Sequence, residues 1–226
     1  MATSDGYGQR LGNRLRVDDA PAIITRALRK ADIAVTEVRC DDPSAAMSGS
    51  FPREDAFLVD LHLRDCPTHE YWEDGRQAPL YAVRAGEMCI HDLKRDPVAL
   101  LNKPYHCVFL YLPRLALKVI ADDANAAQIG DLNYEPGAGI SDATICSLAG
   151  TILPALSRPE QVNRLFVDHV MLALGVHVAQ RYGGMRPMAR PPHGGLAPWQ
   201  VRRSRYSAQT LKACRSQTSR ESVGCR

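Results

Sequence analysis

The chain has 226 residues, 45% of them hydrophobic and 23% charged, a globular balance that excludes a disordered or collagen-like polymer. No apolar run approaches the roughly 18 residues that cross a bilayer, and Met1 to Gly6 shows no basic stretch leading into an apolar one, so a cytosolic chain without a membrane partner is expected. Seven cysteines (40, 66, 89, 107, 146, 214, 225) without a C-x-x-C pair suggest neither a disulfide framework nor a zinc clip. The net charge of +3 is unevenly spread: residues 202 to 226 carry a local +6, leaving −3 on the rest. Attraction to nucleic acid would therefore come from the last 25 residues.

In chain order, residues 18 to 31 read as a short helix, with Asp18 or Asp19 as cap, Pro21 in its first turn and Ile23, Ile24, Ala27 and Leu28 at helical spacing. Ala31 to Arg39 follows as a strand. From Ala56 the period becomes two: Phe57, Val59, Leu61 and Leu63 alternate with Leu58, Asp60, His62 and Arg64, the pattern of a half-buried antiparallel strand. Cys66-Pro67 breaks it. Tyr71 to Arg76 runs into an Asp-Gly turn, Leu80 to Val83 and Glu87 to Leu93 are short strands divided by Ala85-Gly86, and His106 to Leu112 closes the series. Five or so such strands argue for a β-barrel or sandwich.

After Pro113 the chain reads as helical. Leu115, Leu117, Val119 and Ile120 share one helix, and Ser141-Asp142 caps a second through Ile145, Leu148 and Ile152. A third starts at Ser157 or Arg158 and ends at Gly183-Gly184, with Val162, Leu165, Phe166, Val170, Ala173, Leu174 and Val178 on one face. Val167, Met171, Leu172 and Val176 widen that surface, which predicts cover by its own domain or a second subunit. Val162, Leu165, Phe166, Val170 and Leu174 are the dimerisation candidates. Arg186 to Pro198, rich in proline and glycine, is a linker.

Gly194-Gly195-Leu196-Ala197-Pro198-Trp199-Gln200-Val201-Arg202-Arg203 resembles the junction in AraC-type transcriptional regulators where the linker enters the first DNA-binding helix. Leu165 to Val170 with Ala173-Leu174, His177-Val178-Ala179 and Tyr182-Gly183-Gly184 is similar to the last sensory-domain helix of one branch. Ala85-Gly86-Glu87 and Asp92 to Pro97 resemble that branch's cupin-like barrel. The resemblance implies an α+β fold: a cupin-like sensory domain over 1–135, a helical dimerisation segment over 136–185, and a linker with the start of the DNA-binding domain (Trp199, Arg202, Arg203) over 186–203. It also implies a homodimer and a small-molecule effector of unknown identity, with DNA as partner only in the intact family architecture.

Family members continue with two helix-turn-helix motifs. Ser204 to Arg226 has only Leu211 and Val223 as aliphatic residues and no helical period, so an aberrant, disordered tail is expected. One choice among the permitted codons for Ser207 to Cys225, read one frame away, gives SANLKGLPVADIARECRL, the sequence expected of a first helix-turn-helix. The tail is accordingly read as a frameshift product.

The rival reading is a cupin-type metal-binding protein or enzyme. Of the strand-region histidines 62, 69, 91 and 106, none forms the H-x-H pair of metal-binding cupins; His69-Glu70 with Glu73 comes nearest. His62, between Asp60 and Arg64, reads as a surface or pocket residue. His169 and His177, eight apart, do not share a helix face as metal ligands do. No G-x-S-x-G, P-loop or G-x-G-x-x-G occurs. Cys89 and His91 share a strand face and His106 precedes Cys107, but neither pairing has a third orienting group. The expectation is no enzyme, no catalytic residue, no cofactor and no metal.

Overall fold

The computed structural model describes residues 6–186 apart from Arg26, Arg29, Pro52, Pro159, Glu160 and Val162. The chain divides into two compact units, Met1–Met188 and Ala189–Arg226. The linker beyond Arg186, the DNA-binding-domain start at Trp199, Arg202 and Arg203, the tail, and the dimerisation candidate Val162 lie outside the described residues.

Helix α1 (Gly8–Arg14) leads into strands β1 (Ala22–Thr25), β2 (Ile33–Cys40), β3 (Ala46–Met47), β4 (Ala56–His62), β5 (Cys66–His69), β6 (Tyr71–Glu73), β7 (Arg76–Gln77), β8 (Tyr81–Val83), β9 (Glu87–Asp92), β10 (Val98–Leu101) and β11 (Tyr105–Pro113). Helix α2 (Arg114–Asp123), strand β12 (Ile140–Ser141), α3 (Ala143–Ser157) and α4 (Arg164–Arg181) follow. The result is an α+β fold. The strands pair antiparallel in three sheets: β1-β2-β11-β4-β9-β12, β3-β10-β6-β7 and β5-β8, and among the described residues no closed hydrogen-bonded barrel forms.

Two expectations for the N-terminal part are corrected. Among the described residues of 18–31 no helix forms; Ala22–Thr25 is instead an edge strand registered Ile23↔Val35 on β2. Its β-branched Ile23, Ile24 and Thr25 fit a pleated surface better than a helix. Cys66-Pro67 does not end the strands but begins β5, where a two-stranded ribbon tolerates the missing N–H of proline. The Asp-Gly turn stands as predicted, with Asp74 and Gly75 both at positive φ between β6 and β7.

The six-stranded sheet is covered on both faces. Residues Ile33, Val35, Phe57, Val59, Leu61, Met88, Ile90, Val108 and Leu110 join α2, α3 and α4 in one apolar core. Alternate residues Ala34, Val38, Leu58, Cys107 and Phe109 join Leu11 and Leu15 at α1, with Phe51, in a second. At Gly175 a Cβ would stand 3.1 Å from both the Ile33 and Ile120 side chains, so glycine lets α4 approach β2 and α2 this closely.

Helix α4 buries Val167, Met171, Leu174, Gly175, Val178 and Ala179. Leu174, 2% exposed, is therefore a core residue of its own chain, a correction to its place among surface dimerisation candidates. Leu165 and Phe166 are 69% and 52% exposed, and Val170 is partly buried. Asn163, accepting from the Phe166 amide, caps the helix in place of Ser157 or Arg158.

Candidate functional site

Strand β4 lies between β11 and β9, in register Asp60↔Phe109, His62↔Cys107, Asp60↔Cys89 and Leu58↔His91. Residues opposite each other in an antiparallel pair share a face. One face therefore collects Leu58, Asp60, His62, Cys89, His91, Cys107 and Phe109. Facing them are His69 of β5, Tyr71 of β6 and Val98 to Leu101 of β10, and the space between is a cavity of about 90 Å³. Its walls are mostly apolar, with Asp60, His62, His69 and His91 as a polar cluster.

That cluster is buried: Asp60 is 4%, His62 5%, His91 6% and His69 8% exposed. Asp60 Oδ1 accepts the Cys89 amide at 3.0 Å and lies 3.2 Å from His91 Nε2. Its Oδ2 lies 3.2 Å from His62 Nε2, without hydrogen-bond alignment. Burial opposes charge on Asp60, but His91 and His62 outweigh it and hold the carboxyl well below its usual range. At His62 burial acts against the cation, and Cys107 and Asp60 overcome it, so its pKa is raised. Burial lowers His69. His69 Nδ1 lies 3.1 Å from the Gly137 carbonyl, which can only accept, so Nδ1 carries the proton. Its ring stacks on Tyr71, centroids 5.5 Å apart. Burial pushes the Cys89 thiol up to about 12 and also raises Cys107.

A second polar group supports the wall. Glu73, 3% exposed, accepts from Tyr71 Oη at 2.7 Å and Tyr134 Oη at 3.0 Å and pairs with Arg95 Nη1 at 2.8 Å. Asp92 takes Arg114 on both oxygens, at 3.1 and 2.8 Å.

The structure brings together three of the four strand-region histidines. His106 belongs to the other set and pairs with Glu37 at 2.7 Å. The reading of His62 as a surface or pocket residue resolves to the pocket. His69-Glu70-Glu73 does not act as one group, because His69 joins the cavity while Glu73 is engaged by Tyr71, Tyr134 and Arg95. His177 and His169 serve helix α4: His177 Nε2 donates to Asp142 at 2.8 Å, and His169 Nδ1 to the Leu165 carbonyl at 2.7 Å. Asp60 was missed as a site residue. Its only linear signal is an acid two residues before a histidine on the face opposite the apolar one.

No protein-family model and no curated protein matches the chain. Among solved structures it is similar to the AraC-like transcriptional activator CuxR, at 14% identity over 86% of this chain and 71% of that one, TM-score 0.40. It is also similar to a conserved protein of unknown function from Streptococcus pyogenes (11% identity, 42% of this chain, 75% of that one, TM-score 0.31). A third similar structure is a Cupin 2 conserved barrel domain protein from Salinispora arenicola CNS-205 (9% identity, 42% of this chain, 74% of that one, TM-score 0.31).

Proposed function

We propose that this chain carries the effector-sensing and dimerisation part of an AraC-type transcriptional regulator, and that it binds a compact small molecule without turning it over. The observation that carries this reading is the buried hollow of about 90 Å³ with Asp60, His62, His69 and His91 on a mostly apolar wall. Protein interiors are normally filled, so an apolar-walled space with a few convergent polar groups is the form of a binding site. Its size favours a ligand smaller than a drug-sized molecule.

Strands β2 and β4 contribute to the cavity-side core on one face and to the helical core on the other, so a ligand that favours one arrangement of the sheet also biases α3 and α4. The exposed Leu165 and Phe166 at the start of α4 supply apolar surface for a two-fold homodimer. Contact of residues 202 to 226 with DNA is proposed to be sequence-blind, because their sequence offers a +6 charge, and charge contacts with phosphates fall steeply with salt and carry no base readout.

The test is a thermal-shift screen of small polar and aromatic compounds on the full chain and on Leu100→Trp, which fills the cavity. Binding raises the melting temperature by mass action. Stabilisation present in the unaltered chain and absent in Leu100→Trp is the expected result. Ligand shifts that survive the filled cavity would remove the sensing reading.

A further inference from the structure

Two histidine rings in the cavity wall are left incomplete, His91 at Nδ1 and His62 at both nitrogens. His62 is 5% exposed, and neither ring nitrogen has a hydrogen-bond partner. Buried polar groups almost always find a partner, so such a ring points to a ligand from outside the chain. A carboxylate oxygen of Asp60, a ring nitrogen of His62 and Cys89 Sγ lie within 4.8 Å of one another, all three residues buried. Small side-chain rotations bring that set within reach of an ion with bonds of about 2.0–2.3 Å.

We propose that Asp60, His62 and Cys89 form a mononuclear site for a divalent first-row transition ion of the zinc class, with His91 as a positioning residue. Mixed nitrogen, oxygen and sulfur donors select zinc and cobalt over magnesium and calcium. His91 Nε2 and the Cys89 amide occupy the Asp60 Oδ1 side, which orients the carboxylate and leaves Oδ2 toward His62. Asp60 and His62 line the cavity and Cys89 does not. The sulfur therefore anchors the ion from behind, and the remaining coordination position faces the cavity, as in sites that take an external ligand. On binding, the ion replaces the Cys89 thiol proton and the proton on the ligating His62 nitrogen, and both are released to solvent. This set departs from the sequence expectation of no metal because it contains no H-x-H pair. The Asp60↔Cys89 register of β4 and β9 assembles it across two strands. The site shares Asp60, His62 and His91 with the proposed effector cavity, but its metal binding does not depend on the transcriptional reading.

Cobalt(II) is the probe, added to the full chain after chelator and reductant treatment. One equivalent is expected to bind, with a near-ultraviolet thiolate-to-cobalt charge-transfer band and the visible bands of a four-coordinate ion, both removed by zinc. Cys89→Ser abolishes the charge-transfer band, Cys146→Ser at an exposed position keeps it, and His91→Gln weakens binding about 10- to 100-fold. X-ray absorption on the zinc-loaded unaltered chain, which needs no variant to fold, should show one sulfur among nitrogen and oxygen neighbours. Absence of the charge-transfer band, its persistence in Cys89→Ser, or a shell with no sulfur or more than one would overturn the assignment.

Discussion

Asp60 and Asp142 are both carboxylates withdrawn from solvent beside histidines, and they differ in how many of their bonds are made. Asp142 Oδ1 accepts the Thr144 and Ile145 amides at 3.0 Å each, capping α3, while Oδ2 accepts His177 Nε2 at 2.8 Å and Tyr182 Oη at 2.7 Å from α4. Every lone pair has a donor, and the two helices are clasped. Around Asp60 the bonding stops short, with both nitrogens of His62 unpartnered. The same residue types thus make a structural joint at one place and a site at another. What separates them is the number of unmade bonds, because a completed network contributes stability and an incomplete one is held for something else.

The comparison can be broken by substitution. Asp142→Ala should destabilise by about 3 kcal/mol in urea unfolding, about 1 from the lost cap and the remainder from His177 and Tyr182 left without an acceptor. A loss below about 1 kcal/mol would mean that the clasp is ornamental. Acid titration gives the next largest effect. Burial pushes Asp142 up, but His177, Tyr182 and the Ile145 amide prevail and lower it from 3.8 to about 2. A depressed carboxyl contributes stability that is present above its unfolded value and lost as pH falls through its folded one. About 2 kcal/mol should therefore disappear between about pH 4 and pH 2, and Asp142→Asn should flatten that limb.

Replacing Asp60 and His62 together by leucine should cost about 1 to 2 kcal/mol, since paired removal of a buried ion pair is itself often neutral but the Cys89 amide and His91 lose the acceptor that Asp60 Oδ1 supplied. A cost comparable to that of Asp142→Ala would place both clusters in the same structural class. The smallest change in stability is expected for Leu165→Glu, within about 0.5 kcal/mol at an exposed position. The same variant should shift the chain toward monomer in light scattering, and an unaltered chain that is already monomeric at tens of micromolar would remove α4 as a dimer surface.

Local signals in the chain carried much of the fold. The alternation in Ala56 to His62, the Asp74-Gly75 turn and the Asp142 cap each rest on neighbours within a few residues, and each is in place. What could not be read was which side of an alternating strand meets water. A period of two says that the faces differ, and Asp60 with His62 suggested solvent, yet β4 is buried at all seven positions because the short strands β5, β6 and β10 cover the polar face. Those cover strands have only three or four residues each, too few for a pattern of their own. On α4, apolar residues surround the helix, so spacing alone could not tell that Leu174 turns inward while Leu165 and Phe166 stay outside. His177 and Tyr182 as partners of Asp142 lie 35 and 40 residues away in the chain, beyond any local rule.

The position of β11 also sets the order in which the molecule can be made. It is the last long strand in sequence, yet it sits between β2 and β4. Until residues 105–113 have left the ribosome, β2 and β4 each present an open, largely apolar edge, and their ladders cannot close. Refolding from denaturant should accordingly be slow for the chain's size, with β11 pairing in the rate-limiting step. Nascent chains in which Tyr105–Pro113 has not yet emerged should be captured by chaperones, while those long enough for β11 to have left the ribosome should begin to protect their sheet amides from exchange.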